Sequence, residues 1–227
     1  MNILIVEDEQ FIREEIANLF IEQQYTVEQA ENFARAQEKL ALYNYDCIIV
    51  DIMLPDGNGL DLIRKVRTEK KDMGILVVSA RGRTEEKIQG LDCGADDYIA
   101  KPFALGELNA RVHAIIRRRR FAGQDELSFN ELRILLNARQ VFVNQTKITL
   151  TRKEYDMLLY LITNRGRVLS KESIVEHLWG DDMGLAADSF DFIYTHIRNL
   201  RAKLISAGAK DYIQTVYAVG YKFNCED

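Results

Sequence analysis

The segment that most constrains this chain is Cys47–Pro55, a short apolar run that carries a single carboxylate, Asp51. β-Branched residues dominate the run, and Pro55, Asp56 and Gly57 interrupt it at its end. Such a run is typical of a strand that is buried on both faces of a parallel sheet. Asp51 would end that strand, and open parallel sheets bind ligands beyond the carboxyl ends of their strands. The segment therefore predicts an α/β sheet with a functional acid at one edge.

Residues 1–118 alternate between apolar runs and amphipathic patterns. The predicted strands are Ile3–Val6, Thr26–Gln29, Cys47–Asp51, Ile75–Ser79 and Asp97–Ala100. The predicted helices are Glu9–Glu22, Ala34–Leu42, Gly59–Thr68, Glu85–Leu91 and Leu105–Arg117. This alternation predicts a parallel sheet with helices on both faces, and we expect the flavodoxin-like (βα)5 fold with strand order 2-1-3-4-5.

Residues 125–227 have a different pattern and follow a predicted linker at residues 119–124. The predicted strands are Glu126–Phe129, Arg133–Asn137, Gln140–Asn144 and Lys147–Leu150. The predicted helices are Thr151–Thr163, Ser170–Leu178 and Asp188–Ile205, and the predicted final hairpin joins Tyr212–Val216 to Val219–Phe223. This order predicts a second, α+β domain of the winged helix-turn-helix type.

Charge and cysteine content exclude several classes of protein. The net charge is −5, with the acids concentrated in the first half, which argues against a chain that coats nucleic acid indiscriminately. Cys47, Cys93 and Cys225 are too widely spaced for a zinc site. No apolar run approaches the roughly 20 residues that span a bilayer, and the N-terminus lacks a signal-peptide pattern. We expect a cytoplasmic protein with reduced thiols.

Acidic residues follow two of the predicted strands. Glu7 and Asp8 follow the first strand and Asp51 ends the third, so their carboxylates should meet at one edge of the sheet. These charges repel one another, and a Mg²⁺ ion, which prefers oxygen ligands, removes the conflict. Ser79 and Lys101 end the fourth and fifth strand-like runs, where they would face a phosphoryl group on Asp51.

Each of these features has a more ordinary explanation by itself. A single aspartate at a strand end is usually a turn former or helix cap, and Glu7-Asp8 is typical charge at a helix start. Tyr98, within the fifth predicted strand, is more often a core residue. The combination of acids, a hydroxyl and a lysine at four strand ends nevertheless favours a phosphoryl-transfer site.

The predicted helix Asp188–Ile205 has the division of side chains that DNA recognition requires. Its apolar stripe, which must pack on a core, consists of Phe190, Ile193, Ile197, Leu200 and Leu204. Its candidate DNA-binding residues are His196, Arg198, Asn199, Arg201 and Lys203. A helix in the major groove needs such polar and basic side chains for phosphates and base edges, although a solvated surface is the commoner explanation for one helix alone.

These motifs together carry a family resemblance. Residues 1–118 resemble the receiver domain of a bacterial two-component response regulator, through Glu7-Asp8, Asp51 with Met53–Gly57, Ser79-Ala80, Gly94–Tyr98 and Lys101-Pro102-Phe103. The resemblance implies that Asp51 accepts a phosphoryl group from a histidine of a sensor kinase. The implied Mg²⁺ ligands are Asp8, Glu7 through water, Asp51 and the backbone carbonyl of Met53. The implied phosphate-binding and switch residues are Ser79, Ala80, Lys101 and Tyr98. The apolar Met53 side chain also implies slow self-dephosphorylation.

Residues 125–224 resemble the winged-helix effector domain of the OmpR/PhoB type. The matching segments are Leu150–Tyr155, Leu158-Leu159, Asn164–Lys171, Leu178-Trp179-Gly180, His196–Arg201 and Gly220–Phe223. The resemblance implies a transcription factor, rather than a metabolic enzyme, that binds double-stranded promoter DNA, with RNA polymerase as a further partner. One departure is Tyr217, since the family's wing usually carries an arginine there.

The resemblance also implies a homodimer that phosphorylation favours. Members of the family dimerise through their fourth helix, fifth strand and fifth helix. The charges at the matching positions are Lys87 with Glu107, Asp97 with Arg111, and Asp96 with Arg118. We expect the dimer to place two winged helices on tandem DNA half-sites.

Two alternatives remain open. A phosphatase that uses Asp51 as its nucleophile would need a second aspartate two residues later, where this chain has Met53. An atypical regulator would bind DNA without phosphorylation. The intact acidic cluster argues against the atypical regulator, while the missing wing arginine leaves room for unusual DNA affinity.

Overall fold

The computed structural model describes residues 1–70, 72–80, 84–179 and 191–224. The chain divides into two compact units, Met1–Gly123 and Gln124–Asp227. Four features that the sequence singled out lie outside the described residues, namely the helix start at Asp188, the apolar residue Phe190, the motif residue Gly180 and the cysteine Cys225.

The first unit is an alternating α/β domain. In chain order it contains β1 (Asn2–Val6), α1 (Gln10–Glu22), β2 (Thr26–Ala30), α2 (Phe33–Leu42), β3 (Cys47–Asp51), β4 (Met53–Leu54), β5 (Gly57–Asn58), α3 (Gly59–Glu69), β6 (Gly74–Ser79), α4 (Thr84–Asp92), β7 (Asp97–Ala100) and α5 (Leu105–Phe121). The main sheet is parallel and has the order β2-β1-β3-β6-β7. The predicted flavodoxin-like fold and its strand order are therefore confirmed.

Burial explains why the apolar runs become the central strands. Every residue of β1, β3 and β6 is buried, and each Val, Leu or Ile so buried contributes about 1.5–3 kcal/mol. One face of the sheet packs on apolar residues of α3, including Leu60, Ile63 and Val66. Helices α1 and α5 pack against each other and against the opposite face of the sheet. The parallel strands therefore present all their carboxyl ends at one edge, where Asp51 lies.

Helix α5 is longer than the sequence predicted. It continues to Phe121 instead of ending at Arg117, so part of the predicted linker is helical. Arg119 donates to Asp96 at 2.6 Å, and Arg120 lies 2.9 Å from Asp46. Because these acids precede β7 and β3 and are largely buried, the pairs fix the last turn of α5 to the sheet and extend the helix.

Over its described residues, the second unit combines two antiparallel sheets with three helices. In chain order it contains β8 (Glu126–Phe129), β9 (Leu132–Leu135), β10 (Gln140–Val143), β11 (Thr146–Ile148), α6 (Arg152–Thr163), β12 (Val168–Ser170), α7 (Lys171–Trp179), α8 (Asp191–Ser206), β13 (Ile213–Val216) and β14 (Gly220–Phe223). The sheets have the orders β11-β10-β9-β8 and β12-β14-β13. This arrangement confirms the predicted α+β winged helix-turn-helix fold.

Local signals account for most of these elements. Thr151 caps α6 in a capping box with Glu154, as the sequence Thr151-Arg152-Lys153-Glu154 predicted. The strand predicted at Arg133–Asn137 ends earlier, at Leu135, because Asn137 lies in the turn before β10. Strand β12 was missed, since it is three residues long and forms only through pairing with β14.

Candidate functional site

Three charged side chains meet at the carboxyl edge of the parallel sheet. The Nζ atom of Lys101 lies 2.7 Å from a carboxylate oxygen of Glu7 and 2.7 Å from Oδ2 of Asp51. Glu7 is 1% exposed and Asp51 is 5% exposed. A single ammonium therefore bridges two buried carboxylates that follow β1 and end β3.

The backbone after β7 holds Lys101 at this position. The Lys101–Pro102 peptide bond is cis, and the backbone N–H of Lys101 donates to the carbonyl of Ser79 at 2.8 Å. Ser79 is fully buried at the end of β6, and Ala80 next to it is exposed. The ends of β6 and β7 thus bring Ser79 and Ala80 to the same edge as Lys101.

Burial and pairing act in opposite directions on these groups. Burial raises the pKa of Glu7 above its ordinary value, and the charge of Asp51 adds to this effect against the opposing influence of Lys101. Burial also disfavours the charge of Lys101, but hydrogen bonds to Asp51 and Glu7 outweigh it and raise the pKa of the ammonium. Lys101 is therefore charged at neutral pH, and the ionised form of Glu7 would gain from a further cation.

The acidic cluster fits a hard divalent cation. Ligand oxygens of Glu7, Asp8 and Asp51 lie within 4.8 Å of one another, and Asp8 is exposed to solvent. One lysine does not neutralise three carboxylates, so a negative charge remains at the site. Mg²⁺ prefers oxygen ligands and keeps several waters, which suits two buried carboxylates beside an open, exposed one.

The segment after Asp51 forms a small hairpin. Met53 begins β4, its backbone N–H donates to Oδ1 of Asp51 at 2.9 Å, and its side chain is half-exposed. Strand β4 pairs with β5, which joins Met53 to Asn58 and Leu54 to Gly57. The hairpin therefore fixes the backbone of Met53 directly beside Asp51.

One carboxylate in this hairpin was not singled out as functional. The carboxylate of Asp56 accepts hydrogen bonds from the backbone N–H groups of Phe33 at 2.7 Å and Ala34 at 2.9 Å. The N–H of Ala34, and then that of Phe33, lower the pKa of the Asp56 carboxyl. The sequence Pro-Asp-Gly predicted only a turn, since nothing in its spacing reveals a partner more than twenty residues earlier.

Tyr98 is a core residue in this structure. It lies in β7, is 7% exposed and belongs to the apolar cluster that covers one face of the sheet. Its ring lies beside Gly90 of α4, and the Nζ atom of Lys87 is 6.0 Å from the ring centre. The structure therefore places Tyr98 between the sheet and α4.

Charged residues of α5 and β7 form ion pairs within one chain. Arg111 donates to Asp97 at 2.7 Å and to Glu107 at 2.7 Å. The pKa of Arg111 is raised, first by its hydrogen bond to Glu107 and then by that to Asp97. Asp97 and Arg111, which the sequence suggested as a pair across a dimer, are thus paired inside the monomer.

Asp96 has several partners in its own chain. Its carboxylate accepts from Arg67 at 3.0 Å, from Arg119 at 2.6 Å and from the backbone N–H of Ile75 at 2.8 Å. Arg118 approaches the Asp96 carbonyl at 3.4 Å. This acid therefore joins α3, α5 and β6 at the amino edge of the sheet, opposite Asp51.

Helix α8 presents a buried stripe and an exposed polar face. The buried residues are Ile193, Ile197, Leu200 and Leu204. Arg198 and Asn199 are exposed. His196 is half-buried beside the Trp179 ring, at 5.6 Å between ring centres, and burial lowers its pKa. Arg198 and Asn199 are accordingly the sequence-selected residues with the most open positions.

Two other basic residues of α8 are held by acids of the same unit. Arg201 forms a bidentate pair with Asp211, and Lys203 lies 2.6 Å from the carboxylate of Glu154. Glu154 is 2% exposed and belongs to the capping box of α6. Burial opposes its charge, but hydrogen bonds from Lys203 and Thr151 outweigh burial and hold the pKa of Glu154 below its ordinary value. Lys203 therefore joins α8 to α6.

The hairpin between β13 and β14 ends in an exposed aromatic residue. Tyr217 is 94% exposed, and the next residue, Ala218, has a left-handed backbone with φ +60°. The turn is closed by the N–H of Val219, which donates to the carbonyl of Val216 at 3.1 Å. Tyr217 therefore projects from a hydrogen-bonded turn.

Comparisons with known proteins point to one family for both units. Residues 3–113 match the family described as response regulator receiver domain, and residues 145–223 match the family described as transcriptional regulatory protein, C terminal. The response regulator ArlR of Staphylococcus haemolyticus is 40% identical over 220 residues, which cover 97% of this chain and 98% of that protein. ArlR of Staphylococcus aureus is 39% identical over 219 residues, covering 96% and 97%.

A solved structure of a two-component response regulator from Clostridium difficile is 30% identical, with a TM-score of 0.50, and covers 52% of this chain and 97% of that chain. Among the described helices, none has both the length and the hydrophobicity needed to cross a membrane.

Proposed function

Because this chain belongs to the response regulators of the OmpR/PhoB type, in which a receiver domain is joined to a DNA-binding domain, we propose that phosphorylation of Asp51 controls its binding to DNA. The phosphoryl donor is a histidine of a sensor kinase. The observation that carries the proposal is the Lys101 ammonium shared between the buried carboxylates of Glu7 and Asp51. The protein is a transcription regulator rather than a metabolic enzyme.

The residues around Asp51 have distinct roles in the transfer. One Asp51 oxygen attacks phosphorus while the bond from phosphorus to the kinase histidine nitrogen breaks. Lys101 then pairs with one phosphoryl oxygen. The hydroxyl of Ser79, at the end of β6, and the backbone N–H of Ala80, which follows it, donate hydrogen bonds to another phosphoryl oxygen. The residues that would hold Mg²⁺ are Asp8, Asp51, the backbone carbonyl of Met53 and, through water, Glu7. When bound there, Mg²⁺ would neutralise charge on the phosphoryl oxygens. The apolar Met53 side chain does not orient an attacking water, so self-dephosphorylation is slow.

The signal leaves the site through β7 and α5. We place Tyr98 as the switch residue, since its ring lies between the sheet and α4, and we place the dimer contacts on the charged residues Lys87, Asp96, Asp97, Glu107, Arg111 and Arg118. Several of these already pair within the chain, so dimerisation exchanges ion pairs instead of creating new ones. Exposed pairs contribute about 0–1 kcal/mol each, and a two-fold interface repeats each one. The pairs therefore set the register of the dimer more than its affinity.

The partners of the phosphorylated protein follow from this scheme. The dimer binds tandem half-sites of promoter DNA, where RNA polymerase is a further partner. The place of action is the bacterial cytoplasm, where kinase and promoter are both accessible.

Sedimentation velocity tests the role of Asp51. With beryllium fluoride and Mg²⁺, which mimic a phosphoryl group on a carboxylate, the wild-type chain is expected to shift from monomer to dimer. The Asp51→Ala variant is expected to remain monomeric, because it lacks the oxygen that binds beryllium. A wild-type chain that is already dimeric, or that does not respond, would favour a regulator that binds DNA without phosphorylation.

DNA contacts are proposed for α8, chiefly through Arg198 and Asn199, with His196, Arg201 and Lys203 as weaker contributors. Arg198→Ala is expected to lose about 1–3 kcal/mol of binding free energy while thermal stability is unchanged.

Lys203→Ala is expected to lower the free energy of unfolding of the second unit by about 1–3 kcal/mol, because Glu154 is left buried without its ammonium partner. The loss should shrink as pH falls and Glu154 protonates.

The measurements are fluorescence anisotropy on a labelled duplex, selected by the wild-type protein from a random pool, and thermal denaturation followed by Trp179. The two variants serve as controls for each other. If Arg198→Ala lowered stability as much as Lys203→Ala does, or left DNA affinity intact, Arg198 would not be a DNA contact.

A further inference from the structure

The hairpin that follows Asp51 is attached to helix α2 through one carboxylate. We propose that Asp56 is a positioning residue for Mg²⁺ binding, because it holds the backbone of Met53 in place beside Asp51. This inference rests on the proposed function of Asp51. Asp56 is not among the proposed metal ligands, so it would act through the chain that joins it to Met53.

At the N-terminus of α2, Asp56 supplements the local cap formed by Asn32. The first N–H groups of a helix have no partner within the helix. Asn32, the N-cap residue, accepts from the backbone N–H of Arg35 at 2.9 Å. The N–H groups of Phe33 and Ala34 instead donate to the two oxygens of Asp56, at 2.7 and 2.9 Å. A carboxylate is also favoured at this end of a helix by the helix dipole.

The close approach of Gly57, which follows Asp56, to Phe33 of α2 supports the same attachment. A Cβ atom built on Gly57 would lie 2.8 Å from Cγ of Phe33, so the hairpin backbone lies directly against the first residue of α2. On its other side the hairpin leads into α3, where Asn58 accepts from the N–H of Leu60 at 3.0 Å. The hairpin is therefore held at α2 by Asp56 and Gly57 and at α3 by Asn58.

In the sequence, Met53 lies between Asp51 and these points of attachment. Its N–H donates to Oδ1 of Asp51, and its strand partner is Asn58. Loss of the Asp56 contacts would free one side of the hairpin and let the Met53 carbonyl move. Mutation of a group that orients a metal ligand from outside the coordination shell typically lowers metal affinity about 10–100-fold.

A purely structural role for Asp56 makes a different prediction, and Asn32 separates the two. Both residues cap the N-terminus of α2, but only Asp56 lies in the hairpin that carries Met53. If Asp56 merely stabilises α2, Asn32→Ala and Asp56→Ala should have the same effects. If Asp56 positions the hairpin, only Asp56→Ala should weaken Mg²⁺ binding.

The test is a Mg²⁺ titration of the full chain followed by the backbone amide NMR signals of residues 51–54. Asp56→Ala is expected to raise the Kd for Mg²⁺ about 10-fold, and Asp56→Asn should raise it less, since its amide oxygen still accepts one hydrogen bond. Asn32→Ala should leave the Kd unchanged. Without Mg²⁺, amide exchange at Phe33 should accelerate in Asp56→Ala, which confirms that the attachment is lost.

Two results separate failure of this inference from failure of the proposed function. If Asp51→Ala abolishes Mg²⁺ binding but Asp56→Ala leaves the Kd unchanged, or if Asn32→Ala raises it equally, Asp56 has no positioning role. If Asp51→Ala binds Mg²⁺ as tightly as the wild type, the proposed metal site itself is wrong.

Discussion

Replacement of Lys101 by alanine is expected to lower the free energy of unfolding of the receiver unit by about 3–5 kcal/mol at pH 7. The substitution leaves the carboxylates of Glu7 and Asp51 buried at 1% and 5% exposure without the ammonium that bridges them. The same variant should respond poorly to beryllium fluoride, since the fluorides that stand in for phosphoryl oxygens lose their cationic partner.

The loss should depend on pH in a defined direction. Lys101 has a raised pKa, so its stabilisation is fully present below the ordinary lysine pKa of 10.5 and disappears only as pH rises through the folded value. Glu7 has a pKa raised above 4.5, and without Lys101 it rises further. The difference between wild type and variant should therefore shrink from pH 7 to pH 5 as Glu7 protonates.

Urea unfolding at both pH values measures this difference. The single tryptophan, Trp179, reports only on the second unit, so circular dichroism is needed to follow the receiver. Lys65→Ala, at an exposed position on α3, is the matched control. An equal loss at both pH values, or a loss no larger than that of Lys65→Ala, would contradict the role assigned to the buried pair.

The second large effect is expected at Gly59, the first residue of α3. A Cβ atom there would lie 2.1 Å from the carbonyl oxygen of Asp51 and 2.9 Å from Cα of Ile52. Both neighbours are backbone, and the N–H of Gly59 donates to the carbonyl of Ile52 at 2.8 Å. Gly59→Ala must therefore displace the end of β3, at a cost of about 1–3 kcal/mol or more, and it should abolish dimerisation with beryllium fluoride.

Gly106→Ala provides the control for this substitution. Gly106 lies in the first turn of α5, and a Cβ atom there meets nothing within 4 Å. Alanine is preferred over glycine in helices by about 1 kcal/mol, so this variant should be neutral or slightly stabilised. Thermal denaturation and sedimentation velocity distinguish the two variants, and normal behaviour of Gly59→Ala would disprove the steric argument.

The sequence predicted the parts of the fold that depend on local pattern. The buried strands appear as β-branched runs, and parallel strands bring their ends to one edge, so Glu7, Asp51 and Lys101 could be placed together before the structure was known. The capping box at Thr151 was equally visible, because all of its information lies within four residues.

The sequence did not reveal which side chains pair when they lie in distant segments of the chain. Nothing in the spacing of α8 shows that Lys203 pairs with Glu154, or that Asp56 caps a helix that precedes it. The charges of Asp97 and Arg111 predicted a pair, but complementary charge does not say whether the partner lies in the same chain. The extension of α5 beyond Arg117 likewise depends on Asp46 and Asp96, which lie far away in the sequence.

The anchored end of α5 also determines where the tether between the two units begins. Because Arg119 and Arg120 fix the last turn of the helix to the sheet, the tether to the second unit begins only at Ala122 and Gly123, both with left-handed backbones. If two receivers associate as proposed, each tether would start from a defined point on its own receiver. A short tether confines its module to a small volume and raises the effective concentration of the second module once the first has bound. Under the proposed dimerisation, the anchored basic turn at the end of α5 would thereby raise the local concentration of the second DNA-binding module at its half-site.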